Sequence, residues 1–203
     1  MSFLDKLKNK IDTKAIKPEY TLKQETEYFI YKFDLSNEID ADSIVKTIVS
    51  LKEKYPKPNF TNVFAWHTDF FAHKKTNEFD KLIEVIGKKV KLVAEQSRAP
   101  GKFDVSCHES WAIIYDKIDN RAKWHMHGDA DYSIAYYAKV PVESSPVVFK
   151  NMNLGLNQDV DITPETNTLL VFPGHVLHKV PNLTNTDARI VFAANFYIYR
   201  QKI

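Results

Sequence analysis

Hydrophobic positions recur at two different periods along the chain, and the change falls near residue 100. Before it, long stretches follow helical spacing. Residues 38–54, EIDADSIVKTIVSLKEK, put Ile44, Ile48 and Leu51 on one face, with an acidic start and a lysine-rich end that suit the helix dipole. Pro56 and Pro58 stop that helix. Residues 77–97 repeat the pattern through Phe79, Leu82, Ile83, Ile86, Val90 and Val93, and Pro100 with Gly101 marks the break. The opening SFLDKLKNKID sets Phe3, Leu4, Leu7 and Ile11 opposite Lys6, Lys8 and Lys10, which predicts a short amphipathic helix packed on the domain. Residues 26–35, TEYFIYKFDL, alternate instead and predict a strand. Between the two long helices lies an aromatic stretch, FTNVFAWHTDFFAH at 60–73, long enough to serve as a lid or as a packing segment.

After Gly101 short apolar or alternating runs replace the helical pattern. They are VSCHESWAIIYDKI, KWHMHG, YSIAYYAKVP, SPVVFKN, DVDI, TLLVFPG and ARIVFAANFYIYR, separated by turn residues. Such a series predicts a closed or sandwiched antiparallel sheet, giving a mainly β fold with bracing helices. No repeat, low-complexity tract or linker interrupts the chain. The expectation is a single domain over 1–203, with a helix-rich support at 1–100 and a β core at 101–203.

Composition narrows the function classes. Against 28 Lys+Arg stand 26 Asp+Glu, a net charge of +2, which argues against an electrostatic nucleic-acid binder. The single cysteine, Cys107, excludes an intramolecular disulfide framework and suits a reducing, cytoplasmic setting. No apolar run reaches the ~18 residues of a membrane span, and no signal peptide is visible. The 7 histidines change the picture most, because several of them cluster.

The first cluster is Trp124-His125-Met126-His127-Gly128-Asp129, at a strand end. Residues two apart on a strand share a face, so His125, His127 and, if the strand persists, Asp129 point the same way. The second is FPGHVLHKV, with His175 and His178. Two imidazoles and a carboxylate on one face hold a non-haem Fe(II) while leaving positions open. Arg189 then opens the apolar last strand, where a buried guanidinium must find an anion: either a structural Asp or Glu, or a carboxylate-bearing co-substrate.

The order His-x-Asp, distant His, then Arg resembles the Fe(II)- and 2-oxoglutarate-dependent oxygenases. WHMHGDADYSIAYYAKVP, PVVF, LLVFPGHVLHKVPN and RIVFAANF are similar to a subgroup of 2-oxoglutarate oxygenases found in bacteria and tailed phages. The likeness covers roughly residues 105–198. It implies a double-stranded β-helix, a jelly roll, with Fe(II) near one open end and 2-oxoglutarate and O2 as co-substrates. It implies further that His178 is the distal iron ligand, that Arg189 and Tyr137 hold the far carboxylate of 2-oxoglutarate, and that Asn195 reaches the pocket. Two registers remain for the other ligands. His127 and Asp129 are favoured, because a carboxylate neutralises part of the metal charge; the alternative is His125 and His127. The implied activity is hydroxylation of a peptide or small molecule, prolyl or otherwise.

Two rival classes share these features. One is a jelly-roll binding or structural module, which has no need for a buried cation beside a metal. The other is a cupin-type metalloenzyme without 2-oxoglutarate, in which His125, His127 and His178 all bind metal and Asp129 is free. Default roles cover the rest. His67, His73 and His108 fit surface or satisfied core positions, and His175 sits at odd spacing from His178 in a turn. Cys107 cannot pair with His108, since neighbours on a strand face opposite ways. Trp111, Trp124, Tyr115 and Tyr136 are candidates for pocket lining or core.

Overall fold

The computed structural model describes residues 20–23, 27–57, 61–98, 101–151, 159–184 and 187–201, and the helix predicted at 1–11 lies outside them. The chain opens with β1 (Tyr20–Lys23) and β2 (Glu27–Asp34), followed by α1 (Ala41–Lys54). Two short strands, β3 (Val63–Phe64) and β4 (Trp66–His67), and two 3-10 turns lead into α2 (Asp80–Ser97). The predicted series follows as β5 (Phe103–Tyr115), β6 (Arg121–His125), β7 (Tyr132–Lys139), β8 (Val147–Phe149), β9 (Val160–Ile162) and β10 (Thr168–Pro173). Then come β11 (His178–Val180) and β12 (Arg189–Arg200).

The strands form two antiparallel sheets. The larger has the order β1-β2-β10-β7-β12-β5-β4, and the smaller β3-β6-β11-β8-β9. This is the sandwiched antiparallel architecture that the strand series predicts, with the two helices on the outer face of the larger sheet. Period-2 alternation explains how one sheet serves two cores. On β12, Ile190, Phe192 and Ala194 pack toward the helices, while Val191 and Ala193 face the smaller sheet. On β10, Leu169 and Val171 take the helix side, and Leu170 and Phe172 the inner side.

The helices form for reasons visible in their residues. Asp40 caps α1, its carboxylate accepting from the backbone N–H of Asp42 (3.1 Å) and Ser43 (3.2 Å), and Ile44, Ile48 and Leu51 are buried as the spacing predicts. In α2 the buried stripe is Leu82, Val85, Ile86, Val90, Val93 and Ala94.

Two glycines make opposite predictions. A Cβ on Gly87, inside α2, would meet nothing nearer than Val105 Cγ2 at 3.6 Å, an ordinary contact. Gly87→Ala should therefore raise stability by about 0.5–1 kcal/mol, read as a higher melting temperature. A Cβ on Gly174 would lie 2.3 Å from the Ala130 carbonyl oxygen. Gly174→Ala should cost about 1–3 kcal/mol, because backbone and not a flexible side chain must give way. A Gly174→Ala protein that melts like the parent would contradict that packing.

Candidate metal centre

Three imidazoles meet at one end of the space between the sheets. His125 ends β6 and His178 opens β11, and the two are partners across the ladder. His127 lies past the end of β6 and is tied in by its backbone N–H, which donates to the Gly174 carbonyl at 2.8 Å. One nitrogen from each ring falls within 4.8 Å of the others, and Nε2 of His127 is 3.3 Å from Nε2 of His178.

The protons on two of these rings, His125 and His178, are fixed by their outer partners. Nδ1 of His125 is 2.7 Å from the Lys123 carbonyl, and Nδ1 of His178 is 2.9 Å from that of Val176. A carbonyl only accepts, so Nδ1 donates in both rings and the neutral Nε2 keeps a bare lone pair. Burial keeps the rings neutral. It holds His127 down to about 3, helped by the charge of His125, and holds His178 well below the usual imidazole range, helped by both neighbours. His125 is also lowered by burial. His127 has no such outer carbonyl, so its Nε2–H can donate across the 3.3 Å to the bare Nε2 of His178, and a divalent cation would take the place of that proton.

The sign of the pH dependence follows. With folded values depressed below 6.5, the unfolded chain binds more protons between the folded value and 6.5. Stability of the metal-free protein is full above that window and falls as pH drops through it, by up to about 1.4 kcal/mol per pH unit for each histidine. Melting measured from pH 7.5 to 5 should show the loss; a flat profile would contradict it.

Asp129 stands apart from this cluster. Its Oδ1 accepts from the Tyr197 hydroxyl at 3.2 Å, and it lines a separate groove of about 460 Å³ with Tyr28, Arg98, Asp131 and His175. The favoured register of the sequence, His127 with Asp129, is therefore not the one the fold assembles. The reason is local: β6 stops at His125, and Gly128 turns the chain at φ +58°, so alternation no longer carries residue 129 to the same face. The alternative set, His125, His127 and His178, is the one brought together.

Arg189 lies in the same cavity as the three imidazoles and is 1% exposed. One terminal nitrogen donates to the Ser145 carbonyl at 2.8 Å, and the Nε–H has no partner. No carboxylate pairs with it among the described residues. Its guanidinium lies 5.0 Å from the Tyr137 ring and 5.6 Å from the Tyr115 ring. Burial pushes the Tyr115 hydroxyl up to about 12 and raises Tyr137 as well, each against the pull of the Arg189 charge, so both stay neutral. The remaining wall includes Phe149, Leu170, Phe172 and Val191. A buried cation in an apolar cavity calls for an anion. The cavity is narrow, about 50 Å³, and its lining joins the guanidinium and the imidazoles.

Asn195 shares the inner face of β12 with Arg189, yet six residues of strand separate them by about 20 Å. It lines a second chamber of about 240 Å³ on the other side of the imidazoles, with Trp111, Glu109, His125 and His127. Thr61, Asn62, Val63, His67 and Phe70, from the aromatic 60–73 stretch, form another wall of that chamber. Among the candidate aromatics, Trp111 and Tyr115 line cavities, Tyr136 packs on the helix side, and Trp124 is exposed. The other histidines are placed by ordinary bonds: His67 with Thr61 and Thr68, His73 with Ser110, and His108 with Tyr199. His175 is exposed against Tyr28. Burial pushes the Cys107 thiol up to about 12, which leaves it unreactive. Sequence reasoning missed Glu109 and Asn62.

No family model matches the sequence, and a search of curated proteins finds no match. Solved structures do match. A prolyl hydroxylase from Trichoplax adhaerens, in complex with a hypoxia inducible factor oxygen degradation domain peptide fragment, superposes with a TM-score of 0.62 at 10% identity, covering 83% of each chain. An oxidoreductase of the 2OG-Fe(II) oxygenase family from Burkholderia pseudomallei gives 0.58 at 11% identity, over 82% of this chain and 84% of that one. The epimerase SnoN, in complex with Fe3+, alpha ketoglutarate and nogalamycin RO, gives 0.60 at 8% identity, over 85% of this chain and 81% of that one. Two antiparallel sheets braced by helices, and these matches over most of the chain, show that it has the double-stranded β-helix fold of the 2OG-Fe(II) oxygenases.

Proposed function

We propose that this chain is an Fe(II)- and 2-oxoglutarate-dependent dioxygenase that hydroxylates a peptide or small molecule. The observation that carries the reading is Arg189: a buried guanidinium with an unpartnered Nε–H and no carboxylate partner among the described residues, in one cavity with three neutral imidazoles. His125, His127 and His178 would hold the iron, and Arg189 with Tyr137 the far carboxylate of 2-oxoglutarate. Bound together, iron and 2-oxoglutarate supply the activation of O2, with decarboxylation of the oxo acid to succinate and CO2 as substrate is oxidised.

The chain's own residues prepare for that chemistry. The Lys123 and Val176 carbonyls orient two ligand rings, so that their lone pairs face inward before metal arrives. Phe149 stacks on His178 with centroids 5.6 Å apart, and Phe172 packs edge-on at 4.9 Å, which keeps water from that side of the site. The two tyrosines beside Arg189 are neutral donors, suited to a carboxylate. None of the described helices is long and apolar enough to cross a membrane.

The three-histidine set also favours a second reading, a cupin-type metalloenzyme that needs no oxo acid. Melting experiments separate the two. With Mn(II) as the inert metal, 2-oxoglutarate at about 100 times its Kd should add about 2.7 kcal/mol, seen as a further rise in Tm beyond the metal alone. Equal Tm values with and without 2-oxoglutarate would favour the metal-only reading.

A further inference from the structure

The chamber beyond the imidazoles is shaped by an irregularity in β5. Asn195 of β12 pairs with Glu109, but the next residue, Phe196, pairs with Cys107, so His108 is an extra residue in the ladder. The insertion inverts the two faces. Phe103, Val105 and Cys107 pack on the helix side, whereas Trp111, Ile113 and Tyr115 belong to the inner core. Bulges beside sites re-aim side chains, and this one brings Glu109 into the chamber with Trp111.

Glu109 is held by a short relay. Its Oε2 accepts from Asn195 Nδ2 at 2.9 Å, and Asn195 Oδ1 accepts from the Ser133 hydroxyl at 2.8 Å. Asn195 and Ser133 are buried, so the carboxylate is anchored from inside the sheet. It enters no ion pair among the described residues. The same chamber is walled by Phe70, which meets Trp111 edge-on at 5.6 Å and is 40% exposed. Asn62 also lines it, and its Nδ2 is buried without a partner.

We propose that this chamber is the substrate subsite and that it takes a basic side chain of a peptide, an ammonium or guanidinium on an aliphatic stem. The assignment deepens the proposed oxygenase reading and rests on it for what happens to the bound group. An anchored carboxylate without a cation makes charge-assisted hydrogen bonds to an ammonium or guanidinium, and an adjacent aromatic wall attracts the same charge. The stem packs on Trp111 and Phe70, and the Asn62 amide is a donor for a peptide carbonyl. An acidic group would meet repulsion at Glu109, which is exposed, and a neutral aliphatic one would gain nothing from the solvated carboxylate.

Binding is tested on the full metal-free chain by following the indole N–H resonance of Trp111. The probes are Nα-acetyl-lysine methylamide and its norleucine counterpart. The lysine probe should shift the resonance saturably, and the norleucine probe should bind about tenfold more weakly. Glu109→Gln, which keeps an oxygen for Asn195, should bind lysine about tenfold more weakly with unchanged melting. Equal affinity for the two probes, no loss in Glu109→Gln, or no shift with either probe would overturn the assignment. Because no metal or 2-oxoglutarate is present, those failures are separate from failure of the oxygenase reading, which is decided by the binding of iron and oxo acid.

Discussion

Arg189→Met should abolish high-affinity 2-oxoglutarate binding and leave the metal-free protein at least as stable as the parent. The two halves of that result come from one feature. The guanidinium is 1% exposed, with bonds to the Ser145 carbonyl and the Tyr137 hydroxyl, two aromatic rings around it, an unpartnered Nε–H and no carboxylate among the described residues. Removing a residue with that environment releases a charge that the fold alone does not compensate, while methionine fills a similar volume among Tyr115, Tyr137 and Val191. When a carboxylate is bound, by contrast, the same substitution deletes one partner of a buried charge pair. That costs roughly 2–5 kcal/mol, or about 30- to 5000-fold in affinity. The check is a pair of measurements: melting without ligands, and the Kd of 2-oxoglutarate in the presence of Mn(II). A variant that binds 2-oxoglutarate normally, or one that collapses without ligands, would make Arg189 a structural cation.

His178→Ala and Asp129→Asn should separate the two registers of the histidine motif. His178 is buried, and its bare Nε2 faces the other rings, so its loss should weaken Fe(II) or Mn(II) binding more than about 100-fold. Partners that merely orient a ligand cost about 10–100-fold, and a ligand should exceed that. Asp129 is exposed and engaged by Tyr197, so Asp129→Asn should leave metal affinity within about twofold, well under the smallest effect expected of a residue that supports a ligand. Titrations with each variant read the difference directly. Loss of metal binding in Asp129→Asn would restore the carboxylate register.

Much of this framework is legible in the residues, and the exceptions have local causes. Helical spacing marks α1 and α2, and alternation marks the long strands, because each repeats its period several times. The strands β3 and β4 have two residues each and β11 has three, too few to display any period. Parity placed His125 and His127 together but failed at Asp129, because alternation ends with the strand at His125 and the turn at Gly128 follows. It hid Glu109 for a related reason. A single extra residue, His108, reverses the faces of β5, and nothing in VSCHESWAIIY marks where it falls. Arg189 was visible as a cation in an apolar strand. The lack of a carboxylate opposite it is a property of the tertiary structure, since any of the 26 acidic residues was available in principle.

We propose that His125, His127, His178 and Arg189 together bind iron and 2-oxoglutarate. This binding is tested most directly by adding Fe(II) and then 2-oxoglutarate to the full chain without oxygen and recording the visible spectrum. A metal-to-ligand charge-transfer band should appear on addition of the oxo acid, and should weaken in Arg189→Met at limiting 2-oxoglutarate. A wild-type protein that binds Fe(II) yet shows no band at saturating 2-oxoglutarate would contradict the account.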